Sequence, residues 1–527
     1  MKDLKQIISS FAILIFLVQL SDAQTFTRQV FQRNMYFNSS GLDSQTPVQM
    51  IDPGSATTRG PYAQQGMIRY GSNYYLMYRY FDGVSSSVYL RTSSEGTNWS
   101  DRRLVTDDTS NSAQRFPAMV VSGDLQQPDI DVVWQDSRDA QVQVRFARST
   151  DGGQTFGPSV VISSHGDSQS VLASLARDDS GNLYVVWNRL DSFGQWSPTW
   201  FSRSTDNGLT WTPMTQIHTG RIFSFPAKIV ARNNGELLVG ICDDQNSRSN
   251  LVVYTSTNGG DAWQLQQQPT SYQFGEGFRF FNLVRDGSDN IHFLYNFVKN
   301  NELRSYRYLK TADWGANWIN DRAVSDSTVT LQQTGIGVQN IPAFAITPQG
   351  VMYAAWADKR NDLSGTNFEV YLSRSTDGGN SWDSEIQVNE MPEIDDQSYA
   401  AIAVSSDGIT DTVVVVWSEN RQITGINDDL LTSIPTEFTL EQNYPNPFNP
   451  STTIRYELSE ATQLSLSVYS IDGAKVRTLA EGIQSAGAYQ VVWDGRNESG
   501  GQVSSGIYLY RLETESGSVT RKMLLAK

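Results

Sequence analysis

Apolar and polar residues alternate along most of this chain with a period of two. The runs are short and bounded by glycine, asparagine, aspartate and serine, a pattern that predicts β-strands and turns with little helix. One set of runs carries an aromatic residue at or near its end: NYYLMYRY from Asn73, DVVWQD from Asp131, NLYVVWN from Asn182, NIHFLYNF from Asn290, VMYAAWAD from Val351 and TVVVVWSEN from Thr412. ELLVGICDD from Glu236 belongs to the set but lacks the aromatic. Most follow a turn and another apolar strand, as RFPAMVV (Arg115 to Val121) and IPAFAI (Ile341 to Ile346) show, so the pattern predicts seven strand pairs.

Out of phase with the pairs runs a repeated octet. It reads STDGGNSW from Ser375 to Trp382 and recurs as STDGGQTF from Ser149, STDNGLTW from Ser204, STNGGDAW from Ser256 and TADWGANW from Thr311, with a degenerate copy, TSSEGTNW, from Thr92. Ser or Thr stands first, Asp or Asn third, Gly fifth and an aromatic eighth. The third side chain can accept hydrogen bonds from its own turn, the glycine admits a positive φ, and the ring supplies apolar area to bury. These features describe a turn brace rather than a metal site. Starts at 92, 149, 204, 256, 311 and 375 lie 52 to 64 residues apart, a period that suits four short strands with their turns. The seventh strand pair, near Tyr399 to Glu419, has no octet and needs outer strands from elsewhere. Extended apolar stretches between Phe26 and Ile51 can supply them. The expected fold is all-β: a seven-bladed β-propeller, alternatively a six-bladed one, closed by strands from both ends so that no edge stays exposed. In such a fold the octets lie on one face. The starts of the innermost strands and the loops between second and third strands lie on the other, where pockets usually open.

The composition shifts at Pro435. The run NYPNPFNP (Asn443 to Pro450) excludes helix and suits a rigid extended connector. Alternating strands follow, TTIRYEL, QLSLSVYS, YQVVWDG and GIYLYRLE, with turns such as Asp472-Gly473 and Asp494-Gly495. They predict a small immunoglobulin-like β-sandwich. At the other end Lys2 and Lys5 precede an apolar run from Ile7 to Leu20 and then Ser21-Asp22-Ala23, the form of a signal peptide. The expected organisation is therefore a signal peptide at 1–23, a propeller at 24–434 and a C-terminal module at 435–527. Forty Lys and Arg against 56 Asp and Glu leave a net charge of −16, which argues against a nucleic-acid partner. Cys242 is the one cysteine, so no internal disulfide is expected. His165, His218 and His292 are scattered without metal-ligand spacing, and no phosphate loop or nucleophile elbow appears, so no metal or cofactor is expected.

The octets resemble the Asp-box, or bacterial neuraminidase repeat, of sialidase-like β-propellers, over roughly residues 60 to 434. The C-terminal module resembles the sorting domain of type nine secretion substrates. The resemblance rests on Asn443 to Pro450, Val468-Tyr469, Trp493-Asp494-Gly495, Gly506-Ile507-Tyr508 and Arg521-Lys522-Met523-Leu524-Leu525. That second resemblance implies passage through periplasm and outer membrane by the secretion machinery, followed by release or attachment at the cell surface. RFPA at Arg115 resembles the arginine-isoleucine-proline motif that opens sialidase domains, with Phe116 in place of isoleucine. The family implies an arginine triad clamping a carboxylate, a tyrosine–glutamate nucleophile and an aspartate acid/base. Carried over residue by residue, Arg115 is a clamp, Asp139 an acid, Arg279 a second clamp with Glu276 close by, and Tyr399 faces the mouth. Aligning the innermost strands puts Arg115 opposite Ser170, Ser224, Arg279, Asn340 and Ser398. Asp136 and Arg138 recur as Asp358 and Arg360, and nearly as Glu419 and Arg421, which marks them as structural ion pairs. The loop DSFGQWSPTW (Asp191 to Trp200) offers tryptophans for stacking on sugars or for the core. Two functions follow: a secreted propeller that binds glycans or proteins, and a sialidase-like exo-glycosidase acting on acidic sugars. The residues favour binding, because neither a third arginine nor a spaced Glu–Tyr pair is evident.

Overall fold

In a computed structural model the described residues lie within 27–421 and 438–526. Outside them are 1–26, 422–437, 527 and the stretches 46–48, 56–65, 82–85, 109–111, 140, 164–168, 191–197, 220–226, 246–247, 267–268, 301, 326–339, 361–367, 390–395, 441–442, 444–445, 447, 459–461, 471–473, 485–486 and 515–516. The expected signal peptide, most of the loop from Asp191, Ser224, His165 and the Asp472-Gly473 turn fall outside the described residues. Among the described residues no helix is long and apolar enough to cross a membrane. The chain forms two compact units, 1–423 and 424–527.

The first unit is built of antiparallel four-strand meanders. The first sheet runs Met67–Tyr70, Asn73–Phe81, Ser86–Ser93 and Arg103–Leu104. The second runs Gln114–Gly123, Pro128–Asp136, Gln143–Ser149 and Val160–Val161. The third starts at Gln169–Arg177, the fourth at Ala227–Arg232, the fifth at Glu276–Arg285 and the sixth at Ala343–Ile346. A one-residue parallel bridge between Ser249 and Gly277 joins the fourth to the fifth. The seventh sheet takes Asp396–Ser406 and Asp411–Arg421 from the end of the unit and completes itself with Thr27–Asn38 and Gly41–Gln45 from its beginning. Thr27 to Phe37 pair continuously with Arg421 to Asp411.

Because strand residues alternate in direction, each sheet has two apolar faces and shares a core with each neighbour. Met77 and Leu90 of the first sheet meet Ile130 and Trp134 of the second; Val133 and Phe146 of the second meet Leu175 and Trp187 of the third. The same holds between third and fourth (Phe201, Val239), fourth and fifth (Leu238, Phe281), fifth and sixth (Tyr308, Trp356) and sixth and seventh (Tyr353, Trp417). Ala401 and Val414 of the seventh then pack on Leu76 and Tyr78 of the first, so the packing is cyclic.

The octets fasten these cores. Ser204 Oγ accepts the Gly208 N–H at 2.8 Å, and Asp206 accepts the Ser204 hydroxyl and the Thr210 N–H at 2.7 and 2.9 Å. The glycine is needed for two reasons. Its φ is +86°, and a Cβ there would overlap the ring of Phe146 in the preceding sheet. Trp211, eighth in the octet, meets the same ring edge-on at 5.3 Å. Each of the five intact octets thus braces its own turn and seats it on the neighbouring sheet.

The second unit is a two-sheet sandwich: Phe438–Leu440, Thr452–Leu458 and Gly487–Trp493 face Lys475–Gln484, Thr462–Ser470, Gly506–Thr514 and Gly517–Leu525 across one core. The expected connector belongs partly to this sandwich. Asn443 is buried, its N–H donates to Tyr510 Oη at 2.8 Å, and Phe448 packs on Trp493 at 5.5 Å. Proline and asparagine exclude helix there, but one aromatic ring suffices to dock the run.

Candidate functional site

The edge opposite the octets carries the ends of the second strands. There Trp134 Nε1 donates to Asp136 at 2.8 Å, and Arg138 pairs with Asp136 at 2.8 Å and Asp107 at 2.7 Å. Trp356, Asp358 and Arg360 repeat the arrangement at 2.9 and 2.6 Å, with Glu385 as the extra acid. Both central carboxylates are buried, and each faces an indole N–H and a guanidinium. These are the structural pairs expected from the repetition. Nothing is described of the Glu419 and Arg421 side chains. In the fourth sheet Asp243 occupies the same level, opposite Asn250 as Asp136 is opposite Gln143, but its neighbour is His218 Nε2 at 3.3 Å.

The innermost strands carry bulges near this edge, between Arg115 and Ala118, Val171 and Ser174, Phe278 and Phe281, and Ser398 and Ala401. Phe116 and Leu172 sit in two of them at φ of +51° and +55°, which is costly for bulky side chains and clusters at functional surfaces. The cross-strand partners correct the expected alignment. Arg115 faces Gln135, Val171 faces Asn188, Phe278 faces Phe297 and Ser398 faces Ser418. Arg115 is therefore level with Val171, Phe278 and Ser398, whereas Arg279 is one residue further, level with Phe116, Leu172 and Tyr399. A bulge adds a residue without changing the apolar pattern, so alignment by pattern slips there by one.

Of the named candidates, Arg115, Asp139 and Glu276 share no hydrogen bond or ion pair with one another among the described residues. Asp139 is exposed and pairs with Arg145 at 2.7 Å. Glu276 pairs with Lys299 at 2.9 Å and accepts the Gln273 N–H; these bonds hold its carboxyl below the usual range. Arg279 Nη1 donates to Ser249, and its N–H donates to Asn296 at 3.0 Å. Tyr399 lies on the seventh sheet's inner strand, and its side chain is outside the described residues. Arg115 differs. Its Nε is buried without a hydrogen bond, and so is the Oε1 of Gln135 directly across the strand. A donor and an acceptor that close, both unsatisfied, are suited to a ligand.

Two further residues escaped the sequence reading. Lys228 is buried, its amine makes no hydrogen bond, and burial pushes its pKa well below the usual lysine value. The second, third, sixth and seventh sheets place Ala118, Ser174, Ala343 and Ala401 at that level and the fifth places Phe281, so a lysine where those sheets carry uncharged residues was the available signal. Tyr272 stands just before Glu276, the spacing of SYQFGE being the clue. Its hydroxyl donates to Tyr295 at 2.8 Å, Tyr295 donates to Asp321 at 2.8 Å, and burial pushes the Tyr272 phenol up. Trp200 packs on the core between second and third sheets.

Residues 134–413, more than half of the chain, match the BNR repeat-like domain. The chain belongs to that family. Residues 449–518 match the FlgD Ig-like domain, and the C-terminus carries such a fold. No curated protein matches the sequence. Among solved structures, the chain is similar to a Hadza microbial sialidase (13% identity, 74% of this chain and 93% of that one, TM-score 0.40). It is also similar to an ulvan lyase of polysaccharide lyase family 25 (11%, 70% and 96%, 0.44) and to an α-L-arabinanase of Penicillium chrysogenum (15%, 57% and 92%, 0.38).

Proposed function

We propose that this BNR-family chain is an exported seven-bladed propeller that binds an extracellular glycan at the channel mouth beside Arg115, without cleaving it. The cyclic packing of the sheets and the completion of the last by Thr27–Asn38 support seven blades over six. The observation that carries the binding reading is Arg115 itself. It is the one candidate with a described side chain that is left without a hydrogen bond or ion pair among the described residues. A guanidinium suits a sugar carboxylate bidentately. The second reading, a sialidase-like hydrolase of acidic sugars, needs a carboxylic acid with a raised pKa and an activated tyrosine. Glu276 shifts the other way, and the Tyr272 phenol is pushed up and tied to Tyr295. A protein ligand in place of a glycan would show as failure on a glycan array. Purified protein is expected to bind sialyllactose without releasing sialic acid, and Arg115→Ala to weaken that binding at least ~tenfold. Release of sialic acid that Arg115→Ala abolishes would establish the hydrolase instead.

We also propose that the Ig-like unit is a sorting domain that sends the protein through the outer membrane to the surface or medium. The support is the resemblance of Asn443 to Pro450, Trp493-Asp494-Gly495, Gly506-Ile507-Tyr508 and the basic tail from Arg521 to such domains. Deleting 435–527 is expected to leave folded protein in the periplasm. Undiminished appearance of the truncated chain outside the cell would refute the sorting role.

A further inference from the structure

Five octets share one brace, and the sixth lacks it. In the intact ones the third residue holds the seventh: Asp151 accepts from the Thr155 hydroxyl at 2.6 Å, Asp313 from the Asn317 amide at 2.7 Å and Asp377 from the Ser381 hydroxyl at 2.6 Å. Asn258 holds the Ala262 N–H at 3.0 Å. In the degenerate copy Ser94 stands third, and the turn is held by Ser93 Oγ, which accepts the Gly96 N–H at 2.9 Å. Its seventh residue, Asn98, is the counterpart of Asn317, yet it is exposed and its side chain makes no hydrogen bond among the described residues.

A cleft of about 440 Å³ opens at this turn, between it and the intact octet of the second sheet. Its lining includes the amides of Asn98, Gln126, Gln127 and Gln154 together with Arg103 and Asp151. Asp124 fixes the loop by accepting the N–H groups of Gln126 and Gln127 at 2.7 and 3.0 Å, which leaves their side-chain amides open. Arg103 has no ion-pair partner among the described residues. Asp151 directs its lone pairs to Ser149 and Thr155. The site lies on the octet edge, since Ser149 is level with Ile130, whereas Arg115 is level with Gln135 at the strand's other end.

We propose that this cleft is a second saccharide site, taking a short uronic-acid oligosaccharide. Side-chain amides both donate and accept, as ring hydroxyls do. The Arg103 fork matches a carboxylate, and the volume falls in the range of about 300–1,000 Å³ typical of small-ligand sites. The change in the brace is then functional: with no third-position acid to hold it, the Asn98 amide is open to a ligand.

The test is calorimetric titration of the full chain with tetragalacturonate and with its fully methyl-esterified form. The acid is expected to bind at least ~tenfold more tightly than the ester. Arg103→Gln should reduce the acid to the ester's affinity, and the exposed double variant Gln126→Ala/Gln127→Ala should weaken both ligands. Arg115→Ala should change neither, which separates this site from the mouth. Equal binding of acid and ester, binding of neither, or an unchanged Gln126/Gln127 variant would overturn the proposal. Loss of tetragalacturonate binding in Arg115→Ala would also overturn it, by placing the ligand at the mouth.

Discussion

On the octet edge of the first unit, intact turns in consecutive sheets meet one need with the same groups: a hydroxyl first, an acid or amide third, a glycine fifth and an aromatic eighth. On the opposite edge the acid ending the second strand changes partner. Asp136 and Asp358 each hold an arginine two residues on, whereas Asp243 meets His218 from the neighbouring sheet. The residues between them differ more still: Lys228 stands where four other sheets place Ala or Ser and the fifth sheet places Phe281, and Arg115 and Arg279 are out of register. Where every sheet repeats a group, that group serves folding. Where one sheet departs, the departure is free to serve a ligand, which is needed once.

The sharpest way to break this contrast is to remove a repeated group from the divergent edge. Asp358→Ala leaves the Arg360 guanidinium and the Trp356 indole without their buried acceptor, and should cost about 3–5 kcal/mol in denaturant unfolding. A cost near zero would show that repetition there does not mean structure. On the octet edge, Gly379→Ala forces a Cβ into the Tyr308 ring at φ +89° and should cost about 1–3 kcal/mol. Its neighbour Gly378 also has a positive φ but open space, so Gly378→Ala should cost less. Equal costs would mean that the octet glycine serves its turn alone and does not seat it on the next sheet.

The smallest effect is in acid. Asp206 is held at about 2 by the Thr210 hydroxyl and N–H; at Asp151 burial is the largest single influence and pushes upward, but the hydroxyl and N–H of Thr155 together with Ser149 outweigh it and hold the carboxyl at about 2. A carboxyl depressed below its unfolded value, about 4, adds stability above that pH and loses it as pH falls through the folded value. Unfolding midpoints should therefore drop between roughly pH 4 and 2, and Asp206→Asn should shrink the drop slightly. An unchanged acid profile in that variant would show that the brace does not depend on charge.

Much of the scaffold was legible because its causes are local. Alternation gave the strands, the octets gave the turns, and one more strand pair than octets pointed to Phe26–Ile51 as outer strands for the last sheet. The candidate site was less legible because its causes are not local. A bulge leaves no mark on the alternation, which is why Arg279 was aligned with Arg115. The open state of Arg115, the isolation of Lys228 and the choice of His218 by Asp243 depend on what a neighbouring sheet presents. The run from Asn443 read correctly as non-helical, yet Phe448 inside it answers to a core assembled from strands as distant as Gly517–Leu525.

The strand Thr27–Asn38 has a consequence for the order of events during synthesis. It emerges from the ribosome ahead of every sheet, and its partner Asp411–Arg421 emerges after all the others. Until residue 421 is available, the early strand must wait unpaired while the sheets between accumulate. A chain that has been completed but has not yet joined its ends offers two raw edges, the lone strand Thr27–Asn38 and the open side of Asp411–Arg421, each a template for the other in a second molecule. Crowded chains should therefore exchange these strands, and early products of refolding at high concentration should be dimers and longer rows rather than monomers.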